Sequence, residues 1–164
     1  MILSASELVT VDAWLEAKGY PVDKSGLAFL AEVYNGDQAR LGSVQVRLLP
    51  NEELTQAQIQ NARRADIGAL SDGFRRLTEN SLKAAGGRLV TWEDAELQDI
   101  GGLTAVVFSF VRDVAQFGEG AFRVRLARFY SGANSFSVTV SYSVASAPLL
   151  QPITARILTS VRRG

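Results

Sequence analysis

The sequence predicts an α+β fold: an antiparallel β-sheet flanked by a long central helix and a C-terminal helix, in a single domain over residues 1–164. Three observations carry this. Apolar and polar side chains alternate with period two in short runs separated by Gly-, Asn- and Ser-containing turns. One long stretch, and a second at the C-terminus, switch to a period of three to four. The apolar fraction of 47% over 164 residues is enough for one sizeable core.

The elements follow in order. Residues 7–14 alternate as a short strand, the reading preferred over a short helix from Asp12 to Lys18 stopped by Gly19, with Trp14 folding back onto the core; Tyr20-Pro21 and Asp23-Lys24-Ser25-Gly26 carry turn chemistry. Residues 27–34 form a compact apolar strand. Asn35-Gly36-Asp37 is a hairpin signal, because Asn and Gly tolerate positive φ. The partner strand is 41–49, with Val44, Val46 and Leu48 on one side and Ser43, Gln45 and Arg47 on the other. Thr55 and Gln58 have the spacing of a capping box, and they open one long helix. Its apolar stripe is Ile59, Ala62, Ile67, Leu70, Phe74 and Leu77. A bend or break is expected near Gly68 and Ser71-Asp72-Gly73, and Gly86-Gly87 stops the helix.

Four strands follow: 88–98, 103–112, a run with Phe122, Val124 and Leu126, and a run with Phe136, Val138, Val140 and Tyr142. The turns between them are Asp99-Ile100-Gly101-Gly102, Gly118-Glu119-Gly120 and Ser131-Gly132-Ala133-Asn134. Ser146-Ala147-Pro148 starts the last helix, whose buried stripe is Leu150, Ile153, Ile157 and Val161. If the apolar sets of the last two strands meet, even positions pair with even ones. Arg123 and Arg125 then share a face with Ser137, Thr139 and Ser141.

Composition excludes much chemistry. There is no histidine and no cysteine. A Ser-His-Asp triad, an imidazole base, a thiolate nucleophile, a disulfide and a zinc site of the usual kind are therefore ruled out for these residues. Lys+Arg and Asp+Glu both total 17, so no net positive charge draws nucleic acid. No window is long and apolar enough for a transmembrane segment, and the first residues do not read as a signal peptide. The compartment stays open: cytoplasmic if Met1 is native, exported if a leader has been replaced. No cofactor and no metal site is expected.

Several segments together resemble the Mog/PsbP-like fold, and within it the DcrB-like bacterial proteins. Val9-Thr10-Val11-Asp12-Ala13-Trp14 resembles an early strand running into a P-x-W turn, although Val11 or Asp12 stands where the family has proline. The helix over 59–82 sits where that family has its long helix. Ile100-Gly101-Gly102-Leu103-Thr104-Ala105 is similar to its x-I-x-G-x-x-A turn. The strand with Phe136 and Tyr142, followed by a helix ending Ile157-Leu158-Thr159-Ser160-Val161, is similar to its close. The resemblance implies an α/β/α sandwich and a non-enzymatic role in binding another protein, as in extrinsic photosystem subunits, lipoproteins and adaptor chaperones. It carries over no binding residue.

The residues themselves offer one main candidate surface: a polar sheet face with Arg123, Arg125, Ser137, Thr139 and Ser141, joined by Phe129 as an exposed aromatic. Its plain alternative is the solvent side of the sheet. Glu93, Asp94, Glu96 and Asp99 are the densest acidic cluster, but no calcium-loop spacing is present, and alternation sends Asp94 and Glu96 opposite Glu93. They read as a solvated strand edge. Arg63-Arg64 and Arg75-Arg76 read as the wet side of the helix, with Asp66 near the stripe and within pairing reach of Arg63. Trp92, like Trp14, reads as packing. Gly118-Glu119-Gly120 is not a dinucleotide fingerprint. The expected function is a non-catalytic accessory or adaptor protein that binds a protein partner. The alternatives are an exported domain binding a lipid-like ligand and, third, a carboxylate-based enzyme. Partner identity and oligomeric state are not encoded legibly.

Overall fold

The computed structural model describes the short strand Ile2–Leu3 and residues 26–50, 52–114 and 120–161. The expected strand and turn around Trp14, the turns at Tyr20-Pro21 and Asp23-Lys24-Ser25, and Gly118-Glu119 lie outside the described residues. The described elements are β1 (Ile2–Leu3), β2 (Leu27–Tyr34), β3 (Arg40–Leu49), α1 (Gln56–Gln60), α2 (Arg64–Ala84), β4 (Arg88–Ile100), β5 (Leu103–Asp113), β6 (Ala121–Phe129), β7 (Ser135–Ser143) and α3 (Ala147–Thr159). The strands form one antiparallel sheet in the order β1-β2-β3-β7-β6-β5-β4. The α+β class read from the sequence is the one observed.

Local chemistry explains the turns. The β4–β5 turn places Gly101 and Gly102 at φ 63° and 83°, between the paired Ile100 and Leu103. Two consecutive left-handed residues make the tight hairpin whose twist suits the flanking strands, and a Cβ opposes that backbone. The β2–β3 turn differs from expectation. The Asn35 carboxamide oxygen accepts from the N–H groups of Asp37 and Ala39, each at 2.9 Å. This fixes a longer loop and moves the left-handed conformation to Gln38, at φ 62°.

The long helical pattern is two helices. The Thr55–Gln58 capping box forms as the spacing predicts, but it starts only the short α1. The chain leaves helical geometry at Asn61 and is extended at Arg63, φ −78° and ψ 159°, before α2 begins. Gly68 and Gly73, where a break was expected, lie inside α2. The cause is tertiary. The Gln56 amide donates to the carbonyls of Thr104 and Tyr130 and accepts from the Thr104 N–H, which ties α1 to the ends of β5 and β6. Ile59 is sunk beside Val106, Phe108 and Tyr130. Held there, the chain must redirect before α2 can reach β4.

Helices cover both faces of the sheet. On one face, Ile67, Leu70 and Phe74 of α2 pack on Phe108 and Trp92, with the Phe74 and Phe108 ring centroids 4.4 Å apart. Leu77, expected in this stripe, is 65% exposed, because the packed side of α2 runs through Ile67, Ser71, Phe74, Thr78 and Leu82 and leaves Leu77 off it. On the other face, Leu158 and Ile157 of α3 pack on Ala105, Val107, Ala127, Phe129, Val138 and Val140. The buried seam of α3 is Leu150, Thr154 and Leu158, one residue per turn. Ile153, expected in that seam, is 49% exposed. Helix rotation is set where Leu150 meets Gly42 of β3.

At Gly42 the sheet backbone comes close to Leu150 of α3. A Cβ there would lie 2.7 Å from the Ser141 carbonyl oxygen and 3.3 Å from Leu150 Cδ1. Gly42→Ala should destabilise the fold by about 1–3 kcal/mol. Gly36→Ala, where a Cβ meets nothing within 4 Å, should change stability by less than about 0.5 kcal/mol. Denaturant titration of both variants checks this. Burial raises the Tyr130 phenol above its ordinary value, with a smaller lowering from Arg128. The unfolded chain therefore loses that proton first, so stability held below about pH 10 declines as pH rises beyond it. Tyr130→Phe should flatten the alkaline limb of the stability–pH curve.

Candidate functional site

Strand β6 is the starting point. Its alternation puts Arg123, Arg125, Ala127 and Phe129 on one face and Phe122, Val124, Leu126 and Arg128 on the other. The β6–β7 register pairs Phe129 with Phe136, Arg125 with Val140 and Arg123 with Tyr142, so odd positions meet even ones. This corrects the even–even pairing expected from the sequence. Because helices cover both sides of the sheet, the apolar set Phe122, Val124 and Leu126 has its own core to enter and need not meet Phe136 and Val138.

The six candidate residues are thereby divided. Arg123, Arg125 and Phe129 lie on the α3 face. Ser137, Thr139 and Ser141 lie on the opposite face, where Ser137 and Ser141 are buried and the Ser141 hydroxyl sits 2.8 Å from that of Ser43. They do not form one platform with the arginines. Phe129 is not an exposed aromatic: it is 1% exposed and stacks on Phe136 at 4.6 Å between ring centroids.

The two arginines instead enter a cleft of about 280 Å³ between α3 and the sheet. Glu93, Glu96, Ser109 and Tyr142 line it from the strands, and Gln151 and Thr154 from α3. The Arg123 guanidinium donates to Glu93 Oε1 at 2.8 Å, in an exposed pair at the rim. Arg125 lies deeper. Its Nη2 donates to Gln98 Oε1 at 2.8 Å, and the Gln98 amide nitrogen donates in turn to Glu96. The Thr154 hydroxyl donates within its own helix, to the Gln151 carbonyl.

Glu93 and Glu96 share this face because β4 bulges between them. Glu93 pairs with Ser109 and Glu96 with Val107, so β4 carries one extra residue over this interval. Strict alternation had put the two carboxylates on opposite faces. The bulge is held from the far side of the sheet: Ser71 of α2, almost fully buried, accepts from the Trp92 indole N–H and the Ala95 backbone N–H, both at 3.1 Å. Trp92 is thus packing, as expected, and also an anchor. Counting back from Ile100 rather than forward from Trp92 would have placed Gln98 and Glu96 correctly.

The other charged candidates lie elsewhere. Asp66, three residues beyond Arg63, sits at the surface in the first turn of α2. Hydrogen bonds from the Arg63 side chain and backbone hold its carboxyl below the usual carboxylate range. Arg75 pairs with Glu79 on the exposed side of α2. Among the described residues, no cluster of three acidic side chains is placed to hold a metal ion, and no hydroxyl in the cleft is hydrogen-bonded to a carboxylate. The cleft presents charged and hydrogen-bonding side chains.

Removing the Ser71 hydroxyl leaves two buried N–H donors without acceptors. Ser71→Ala should cost about 1–3 kcal/mol in denaturant titration. It should also shift the amide resonances of Glu93 and Glu96, across the sheet from the substitution.

No protein family and no curated protein matches this chain in sequence. Solved structures do match it in shape. PsbP (CyanoP) from Synechocystis sp. PCC 6803 superposes with a TM-score of 0.54 at 12% identity, over 84% of this chain and 75% of that one. PA94 from Pseudomonas aeruginosa, a protein of unknown function described as a suggested regulator, superposes with a TM-score of 0.51 at 17% identity, over 87% and 86%. At such identities the likeness is one of fold: the chain has a PsbP-like fold.

Proposed function

We propose that this is a non-catalytic accessory or adaptor protein that binds another protein, and that the partner docks at the cleft between α3 and strands β4–β6. The observation that supports this reading most is the concentration of two arginines and two glutamates around one concave, polar opening on an otherwise apolar sheet face. Such a surface steers and orients a partner through charge complementarity. Its polar lining does not suit a lipid-like ligand, whose site would be mainly apolar. The fold shared with PsbP, and with a P. aeruginosa protein suggested to be a regulator, agrees with an accessory role. The binding role first assigned to Phe129, Ser137, Thr139 and Ser141 does not enter this reading, because those side chains do not open on the cleft.

A photo-crosslinking residue at Gln151, on the cleft, should capture a defined partner in native cells, whereas one at Arg76, on exposed α2, should not. Arg123→Glu should lose that crosslink. Its effect on stability should stay near or below about 1 kcal/mol, since the Glu93 pair is exposed. Equal capture from both positions, or capture indifferent to the charge reversal, would remove the cleft as the docking surface.

A further inference from the structure

We infer that Arg125 is the seat of a carboxylate supplied by the ligand of the cleft. The inference deepens the protein-binding reading and rests on it for the identity of the surface.

The argument is one of charge accounting. Arg123 already faces a carboxylate, that of Glu93. Among the described residues Arg125 has no carboxylate partner: its side chain donates to the neutral amide oxygen of Gln98. The Arg125 Nε–H is buried and has no acceptor among the described residues. A part-buried guanidinium carries five donors and loses solvation that must be replaced. Leaving a charged donor unmet costs more than leaving a neutral one unmet, so a cation in this state selects for an acceptor. The same side chain lines a cavity of about 280 Å³, with room for more than a single water, so a ligand there meets the accessible part of the guanidinium while the Nε–H stays covered.

The surroundings choose the acceptor's class. Guanidinium groups bind planar two-oxygen anions through paired N–H donors, which fits carboxylate geometry. Glu93 and Glu96 stand in the same cleft. Their repulsion grows with ligand charge, so a singly charged carboxylate is favoured over a phosphate dianion. Gln98 holds the guanidinium from one side and is itself held by Glu96, so Arg125 is fixed before the ligand arrives. The carboxylate can come from a protein partner, as a chain terminus or an acidic side chain, or from a free organic acid.

The Arg125 Nε–Hε resonance, on the same guanidinium, reports occupation of the seat. Titration with sodium acetate should shift it saturably, while sodium chloride at equal ionic strength should not. Inorganic phosphate should bind more weakly than acetate. Arg125→Lys keeps the charge but lacks the planar fork, and should weaken acetate binding, followed at the Tyr142 and Ser109 amides, by about tenfold or more. Arg76→Gln, on the exposed side of α2 and outside the cleft, should leave it within about threefold. A short peptide with a free C-terminal carboxylate, compared with its amide, separates the chain-terminus source from a free acid. Shifts that never saturate, or that are equal in Arg125→Lys, overturn the assignment. If the Gln151 crosslink persists while acetate fails to saturate, the carboxylate seat is wrong and protein binding at the cleft stands. If acetate saturates and no crosslink forms, the seat stands and its ligand is a free acid.

Discussion

Phe129 lies directly across from Phe136, and the α3 side of the molecule depends on that pairing. The stacked rings fix the register of β6 against β7. Every second residue along β6 then follows: Ala127 enters the core under α3, and Arg125 and Arg123 continue on the same face beyond the edge of the apolar cluster. Side chains alternate strictly, so a slip of one residue would carry Phe129 and Ala127 to the other face and the arginines with them. The slip would take Phe129 off Phe136 and out of the core under α3, losing an aromatic contact worth roughly 0.5–1.5 kcal/mol beyond the buried area. The position of two surface cations is thus set by the packing of two aromatics.

The acidic half of the cleft is set differently, by a defect in a strand rather than by its regularity. One extra residue in β4 turns Glu96 onto the face of Glu93. An unsupported bulge leaves backbone donors unpaired, and here Ser71 of α2 takes up the Ala95 N–H together with the Trp92 indole. The helix on one side of the sheet therefore shapes the charged surface on the other. The chain spends a buried hydroxyl on this arrangement, at a position in α2 where an apolar residue would otherwise pack.

The two charge groups meet in a graded way. At the rim, Arg123 and Glu93 form an exposed pair that solvent screens and that contributes little to stability. Further in, Arg125 and Glu96 are linked through the Gln98 amide, which accepts from one and donates to the other. An amide between two opposite charges orients both without neutralising either. In the reading proposed above, charge is thereby positioned and kept available to a partner, unlike in an ion pair such as Arg128 with Glu52.

The α+β class, the four C-terminal strands, the Thr55 capping box, the glycine turn after Ile100 and the anchoring of α3 by Leu150 were legible from residue types and periods, because each depends on neighbours within a few positions. The break between α1 and α2 was not, since Gln56 makes its bonds to Thr104 and Tyr130, far along the chain. Nor was the division of Arg123 and Arg125 from Ser137, Thr139 and Ser141. A sheet covered on both sides gives β6 two apolar faces, and alternation alone does not say which one faces Phe136. Which residue types are available for chemistry was settled by the sequence itself, through the absence of histidine and cysteine. Which of the remaining charges stand together was decided only by register and by the bulge at Glu93–Glu96, because both are set by contacts between strands and helices distant in sequence.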